Sequence, residues 1–191
     1  MPIHLAGILQ QQSAAGGAAF FSDDFNRANE DLSASSDWEA ALGDMDIVSN
    51  EVVSVGTAGN SYRCVGSTLA NDQYAQATIT YGSVLTSGPG VSCRYSASAE
   101  TYYHFRWSQS GNQYQLFRVD AGSFTSIDTA AGATPTAAVF RIEANGSTIR
   151  GLVDGVEKCS ATDTTITSGP YAGIRSFKED NVFDDFSMGD L

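Results

Sequence analysis

Apolar and polar residues alternate with a period of two in several short stretches of the chain. The clearest stretches are 77–81, 91–95, 114–119 and 140–144. Because successive side chains of a β-strand point to opposite faces of the sheet, this alternation predicts half-buried strands. No window of about eleven residues sustains the helical period, so the pattern indicates an all-β chain.

Turn dipeptides separate the strand-like stretches in the second half of the chain. Asn145-Gly146 and Asp154-Gly155 both suit type I′ turns, in which both central residues have positive φ. We therefore predict a three-strand meander over 138–144, 147–153 and 156–161.

Gly111-Asn112 marks a further hairpin, which joins 102–108 to 113–120. With the remaining turns, the pattern gives about 13 short strands at a spacing of roughly 8–12 residues. That rhythm is typical of a two-sheet antiparallel β-sandwich.

Acidic residues dominate the charge of the 191-residue chain, which carries a net charge of −12. Phosphate backbones require positive charge, so nucleic-acid binding is not expected. No apolar run approaches the roughly 20 residues of a membrane span, so no membrane partner is expected either. The acidic excess lies in 1–51 and 176–191, which indicates either a solvated acidic surface or a site for cations.

The three cysteines, Cys64, Cys93 and Cys159, are far apart in the sequence and lie in strand-like runs. An odd number at such spacing is a poor disulfide framework and favours small buried side chains. One disulfide bridge with one free thiol remains an alternative.

Residues 1–19 differ in character from the rest, so we divide the chain into an extended N-terminal arm (1–19) and a domain (20–191). The arm has no Lys or Arg, and glutamines end its apolar stretch, unlike a secretory signal. We predict that it anchors the domain to a partner through four apolar residues, Ile3, Leu5, Ile8 and Leu9. An arm folded back on its own domain, or a leader cleaved near Ala19, remains open.

The two ends of the domain carry a resemblance to a known family. The domain begins with Phe21-Ser22-Asp23-Asp24-Phe25-Asn26-Arg27 and ends with Val182-Phe183-Asp184-Asp185-Phe186-Ser187-Met188-Gly189-Asp190. Between them lie Trp38 and Gly169-Pro170-Tyr171-Ala172-Gly173-Ile174. This order resembles the concanavalin A-like jelly rolls, in particular the laminin-G-like domains. The resemblance implies two curved antiparallel sheets in which the first and last strands pair.

The opening Met-Pro-Ile-x-Leu-x-Gly-Ile-Leu of the arm is similar to the openings of bacteriophage tail-fibre and other accessory virion proteins. This similarity spans about a dozen residues and implies attachment to a virion.

The sequence lacks the catalytic patterns of enzymes that share this fold. The resembling glycoside hydrolases carry a Glu-x-Asp-x-x-Glu strand, whereas here Asp44 and Asp46 have no later Glu. The resembling alginate lyases carry Gln-x-His, which neither His4 nor His104 matches. We therefore assign no catalytic residue and do not expect an enzyme.

A calcium site is implied by the resemblance, because many of these jelly rolls hold a structural Ca²⁺ between the first and last strands. The matching carboxylates are Asp24 and Asp185, with Asp23 or Asp184 in support. Two acidic dipeptides that simply face solvent are the alternative.

The strand-like run 102–107 is the best candidate for glycan binding. Alternation places Tyr103, Phe105 and Trp107 on a core face, and Tyr102, His104 and Arg106 on the other face. The resemblance implies that sugars bind on the concave sheet, where the second set would lie. Other strand arginines would extend this face: Arg94, Arg118, Arg141 and Arg150. Ordinary cross-strand packing of arginine stems over tyrosines is the alternative.

We combine these expectations into a non-catalytic attachment module of a bacteriophage virion, such as a decoration, head-fibre or tail-appendage protein. Its partners would be capsid or tail proteins bound by the arm, with a host-surface glycan as a further ligand, and we expect a homo-oligomer. The alternative is a secreted or cell-surface lectin-like carbohydrate-binding domain, which would be extracellular and would contain a disulfide bridge.

Overall fold

The computed structural model describes residues 20–56, 59–82, 88–133, 135–177 and 180–191. These contain sixteen strands and one three-residue 3₁₀ helix, Leu32–Ala34. The strands are β1 (Phe20–Asp23), β2 (Glu30–Asp31), β3 (Trp38–Leu42), β4 (Met45–Val48), β5 (Glu51–Ser54), β6 (Asn60–Cys64), β7 (Gln73–Thr80), β8 (Gly90–Tyr95), β9 (Tyr102–Ser108), β10 (Gln113–Asp120), β11 (Ser123–Ala131), β12 (Ala137–Asn145), β13 (Thr148–Val153), β14 (Val156–Thr162), β15 (Tyr171–Ser176) and β16 (Val182–Asp190). The described residues include no helix with the length and apolar character needed to cross a bilayer.

The strands form two antiparallel sheets that pack as a sandwich. One sheet has nine strands in the order β14-β13-β12-β7-β16-β5-β4-β2, with β1 paired to β16. The other has seven strands in the order β11-β10-β9-β8-β15-β6-β3. The two-sheet antiparallel sandwich predicted from the alternation is confirmed.

The predicted meander is present as β12, β13 and β14, and one of its two turns differs from the prediction. Asp154 and Gly155 have φ of 50° and 76° and form the expected I′-like turn. Asn145 instead stays extended and pairs with Thr148, so that Gly146 is the first central residue of the other turn. The hairpin between β9 and β10 has the predicted bounds.

The first and last strands pair, as the resemblance implied. In the β1–β16 register, Phe20 lies opposite Gly189 and Asp23 lies opposite Phe186. On its two long edges, β16 also pairs with β7 and β5. The acidic ends of the domain therefore meet at one place in the fold.

The hydrophobic core lies between the sheets, and the alternation of β9 decides which side chains enter it. Tyr103, Phe105 and Trp107 are all 0 % exposed and belong to the core. Tyr102 points the other way, into a smaller cluster with Tyr95, Phe117 and Val119. The two faces predicted for 102–107 are therefore real.

All three cysteines are buried and free. Burial raises the pKa of Cys64 and raises those of Cys93 and Cys159 to about 12. The disulfide that the secreted alternative required is absent, and the three thiols lie on three different strands, β6, β8 and β14.

Candidate functional site

Five side chains form a cluster on the outer face of the seven-stranded sheet, which is the face turned away from the core. They come from strands β9, β10, β11 and β15 and from the segment just after β15. We call this the aromatic–arginine cluster, and it consists of Arg106, Phe117, Phe124, Arg175 and Phe177.

Two guanidinium groups lie against the phenylalanine rings of this cluster. The Arg106 guanidinium lies 4.9 Å from the ring centre of Phe117 and 5.5 Å from that of Phe177. The Arg175 guanidinium lies 4.7 Å from Phe177 and 5.0 Å from Phe124. Such cation–π contacts hold planar guanidinium groups in a fixed orientation.

Phe124 is the exposed ring of the cluster, with 36 % of its surface accessible. It follows the β10–β11 turn directly and lies opposite Val119, so it shares the outer face with Phe117. Its ring packs edge-on against Phe117 at 5.4 Å and contacts Phe177 at 6.3 Å. An exposed aromatic ring over polar donors is the arrangement that ligand sites use.

Two of the three predicted glycan-binding residues lie beneath this cluster. Tyr102 and His104 share the face with Arg106, as predicted, but both are 0 % exposed because the cluster covers them. The Tyr102 hydroxyl accepts a 2.7 Å hydrogen bond from Arg175, and the His104 ring meets the edge of Phe124. Neither offers a surface to a sugar in this structure, whereas Arg106 is half-buried.

The cluster is electrostatically positive at its centre. Burial, followed by repulsion from Arg175, lowers the pKa of Arg106 to about 10. Burial and the two nearby guanidinium groups lower the pKa of His104 well below its usual value, so the imidazole is neutral. Glu100 contacts the cluster through a 2.7 Å ion pair with Arg175.

The other strand arginines do not extend this face, contrary to expectation. Arg141 and Arg150 belong to the nine-stranded sheet, where both bind Glu143. Arg94 donates to three backbone carbonyls, and Arg118 pairs with Asp163 at 2.7 Å. Strand alternation does not reveal which sheet Arg141 and Arg150 join. Arg94 and Arg118 do belong to the sheet of the cluster, on β8 and β10, but their side chains bind other groups.

A pocket of about 350 Å³ lies at one end of the sandwich. Its walls come from three loops and include hydroxyls of Ser147, Thr164 and Thr167 beside Asp72 and Asp163. The buried Arg94 also lines it. It has no aromatic wall, which distinguishes it from the aromatic–arginine cluster.

Asp163 makes this pocket sensitive to acid. Burial by itself would raise the pKa of Asp163, but hydrogen bonds from Thr165, Tyr103 and Arg118 outweigh it and lower the pKa. Because the pKa of Asp163 is lower in the folded state than in the unfolded chain, its ionised form stabilises the fold. This contribution is fully present at pH values above the unfolded pKa of about 3.9, and it is lost as the pH falls through the folded pKa.

We expect Asp163→Asn to lower the free energy of unfolding by about 2 kcal/mol at neutral pH, because Arg118 loses its charged acceptor. As the pH falls through the folded-state pKa of Asp163, the wild type loses the same contribution, so the two proteins should converge. Denaturant titrations across this range measure the difference. A gap that stays constant down to the lowest pH would contradict the assignment.

The predicted calcium ligands Asp24 and Asp185 follow the last β1–β16 pair and are both exposed. Asp23 is already engaged, since it accepts from the Trp38 indole at 2.9 Å and pairs with Arg27 at 2.7 Å. Burial, together with Asp185 and Asp24, raises the pKa of Asp184. Calcium binding here stays a prediction.

A different set of carboxylates converges more closely among the described residues. Oxygens of Asp31, Asp44 and Asp46 lie within 4.8 Å of one another at the β2–β4 edge. Burial, followed by repulsion from Asp44 and Asp31, raises the pKa of Asp46. The sequence showed Asp44 and Asp46 as a pair but not that β2 brings Asp31 beside them.

The predicted anchoring residues, Ile3, Leu5, Ile8 and Leu9, lie outside the described residues, as does the whole arm. The anchor therefore stays a prediction.

No family model and no curated protein sequence matches the chain. Several solved structures do superpose on it. A carbohydrate-binding module, CBM66, from Bacillus subtilis superposes with a TM-score of 0.69 at 15% identity, covering 79% of this chain and 94% of its own. A β-1,3-1,4-glucanase (lichenase) from a mouse hindgut metagenome gives 0.61 at 12% identity, covering 90% and 98%. The carbohydrate recognition domain of Emp47p gives 0.59 at 12% identity, covering 93% and 98%.

The chain has a lectin-like jelly-roll fold. At these identities the likeness establishes the fold alone. Enzymes and non-catalytic sugar-binding domains both use this lectin-like jelly roll, so the choice between them rests on the site.

Proposed function

We propose that the protein is a non-catalytic carbohydrate-binding domain whose site is the aromatic–arginine cluster. The observation that carries the proposal is the partly exposed Phe124 ring and the half-buried Arg106 guanidinium, which both pack against Phe117 and Phe177 on the outer sheet face. A phenyl ring offers a flat apolar surface to a sugar ring, and a guanidinium offers fixed donors to its oxygens. Sugar-binding domains among the structures of the same fold support it.

The carboxylates at the site support binding rather than hydrolysis. A glycosidase requires two carboxyl groups across the scissile bond. In the described part of this cluster the carboxylate in contact is Glu100, and it is held by Arg175. A lone, ion-paired carboxylate is poorly suited to general acid catalysis.

Attachment to a virion through the arm was the first expectation from the sequence. Neither the described residues nor the structures of the same fold add support to it, whereas two of those structures are a carbohydrate-binding module and a carbohydrate recognition domain. The carbohydrate-binding alternative therefore becomes the lead proposal, and the arm stays a separate prediction.

The test is a broad glycan array followed by calorimetric titration of any glycan that binds. We expect Phe124→Ala to weaken binding about tenfold, because it removes the exposed ring. Val156→Ala is the matched control, since Val156 is 56 % exposed but lies on β14 of the other sheet. Absence of binding across the array, or equal binding by Phe124→Ala, would sink the proposal.

A further inference from the structure

Arg106 stands apart from the other arginines in its charge balance. Within the described part of the chain, it is the one arginine that forms no ion pair. The other described arginines each lie within 4 Å of a carboxylate: Arg27, Arg63, Arg94, Arg118, Arg141, Arg150 and Arg175. In a chain of net charge −12, an arginine left without a carboxylate needs an explanation.

The Arg106 guanidinium is held in place while its terminal donors remain available. Its Nε donates a 3.0 Å hydrogen bond to the Gln115 side chain, and its plane lies against Phe117 and Phe177. Neither Nη atom has a hydrogen-bond partner among the described residues, and neither is a fully buried unpartnered atom. Two parallel donors at the surface match the two oxygens of a carboxylate.

One cross-strand row places Arg106 and Arg175 on either side of Gly90. Arg106 lies opposite Gly90, and Gly90 lies opposite Arg175 on the next strand. Gly90 has no side chain, and the His104 ring packs against it, where an added Cβ would overlap the imidazole. Both guanidinium groups reach the Phe177 ring.

The charged groups around Arg106 leave one positive charge unbalanced. Glu100 balances Arg175, and the neutral His104 lies beneath. That leaves the charge of Arg106 without a counterpart among the described groups in contact with the cluster. Partial burial strengthens the attraction of this charge for an anion, because solvent screens it less.

We propose that Arg106 binds the carboxylate of an acidic sugar, so that the ligand class is a uronate-containing oligosaccharide. This inference rests on the proposed function and deepens it. The sugar ring would lie along Phe124 while its carboxylate replaces the counter-ion that the sheet does not supply. A neutral sugar offers no charge to compensate the desolvated guanidinium.

The test compares uronate tetrasaccharides of several stereochemistries with their methyl esters, which keep the ring and remove the charge. Each is titrated into the full chain by calorimetry. We expect the uronates to bind at least about tenfold more tightly than the esters, with affinity falling as ionic strength rises. Arg106→Gln should remove this preference, and Arg106→Lys should restore only part of it.

Arg150→Gln is the matched control, because it removes the same charge from the other sheet. Thermal unfolding checks that each variant is folded; Arg106→Gln should lower the unfolding midpoint only modestly, because it removes contacts with Phe117 and Phe177 but breaks no ion pair. A tetraglutamate competitor separates a sugar carboxylate from a peptide one.

The possible results separate the two proposals. Equal binding of uronates and esters, or displacement by tetraglutamate as effective as by uronate, would overturn the acidic-sugar inference and leave sugar binding in place. Binding of only neutral glycans on the array would do the same. Failure of every glycan on the array overturns the proposed function and the inference with it.

Discussion

Replacing Phe105 by alanine is expected to lower the free energy of unfolding by about 3–5 kcal/mol. The ring is fully buried between the sheets, 5.5 Å from Phe140 and 6.1 Å from Tyr114 between ring centres. It also covers Gly151 of the opposite sheet, where no side chain is present to move into the gap. The substitution therefore leaves a cavity that the core cannot close.

Phe124→Ala is the matched control, since it makes the same chemical change on the outer face of the same sheet. Phe124 is 36 % exposed, so its loss should cost about 1 kcal/mol. Denaturant titrations of both variants, with unchanged dependence on denaturant concentration, give the comparison. Equal losses would contradict the placement of the two rings.

A methyl group at Gly173 should be among the most damaging small changes to this fold. Gly173 lies in β15 opposite Arg63 of β6 and Ser92 of β8. An added Cβ would overlap the backbone carbonyl oxygen of Tyr62, which the sheet cannot move. We expect Gly173→Ala to cost about 3 kcal/mol or more, measured as a fall in the midpoint of thermal unfolding.

Comparing Gly146→Ala with Gly173→Ala distinguishes the cost of backbone strain from the cost of steric overlap. Gly146 has φ of 55° but open space around its Cα, so alanine there should cost only about 1–2 kcal/mol. A larger loss at Gly146 than at Gly173 would show that the paired strands around β15 can open to admit a methyl group.

The fold was largely predictable because strand alternation is a local property. The period of two placed Tyr103 and Phe105 on one face of the strand and Tyr102 and His104 on the other, as the structure has them. The turn at Asn145 was placed one residue too early, because cross-strand pairing with Thr148 outweighs the local preference of Asn-Gly for positive φ.

The candidate site was only partly predictable, because its parts come from distant segments. Arg106 was identified from its own strand, whereas Phe177, just after β15, contacts Arg106, and Phe124, on β11, contacts Arg175. Alternation shows which face a residue takes but not what covers that face. The burial of His104 beneath Phe124 depends on tertiary packing, which no local pattern contains.

The position of β16 has a consequence for how the domain is made. This strand follows all other described strands in the chain, yet it lies inside the nine-stranded sheet, between β7 and β5. Until the ribosome has synthesised β16, the other strands of the nine-stranded sheet form two separate halves with open hydrogen-bonding edges. The domain therefore completes its fold only after the last strand is synthesised, and until then nascent chains expose edges on which a chaperone would act.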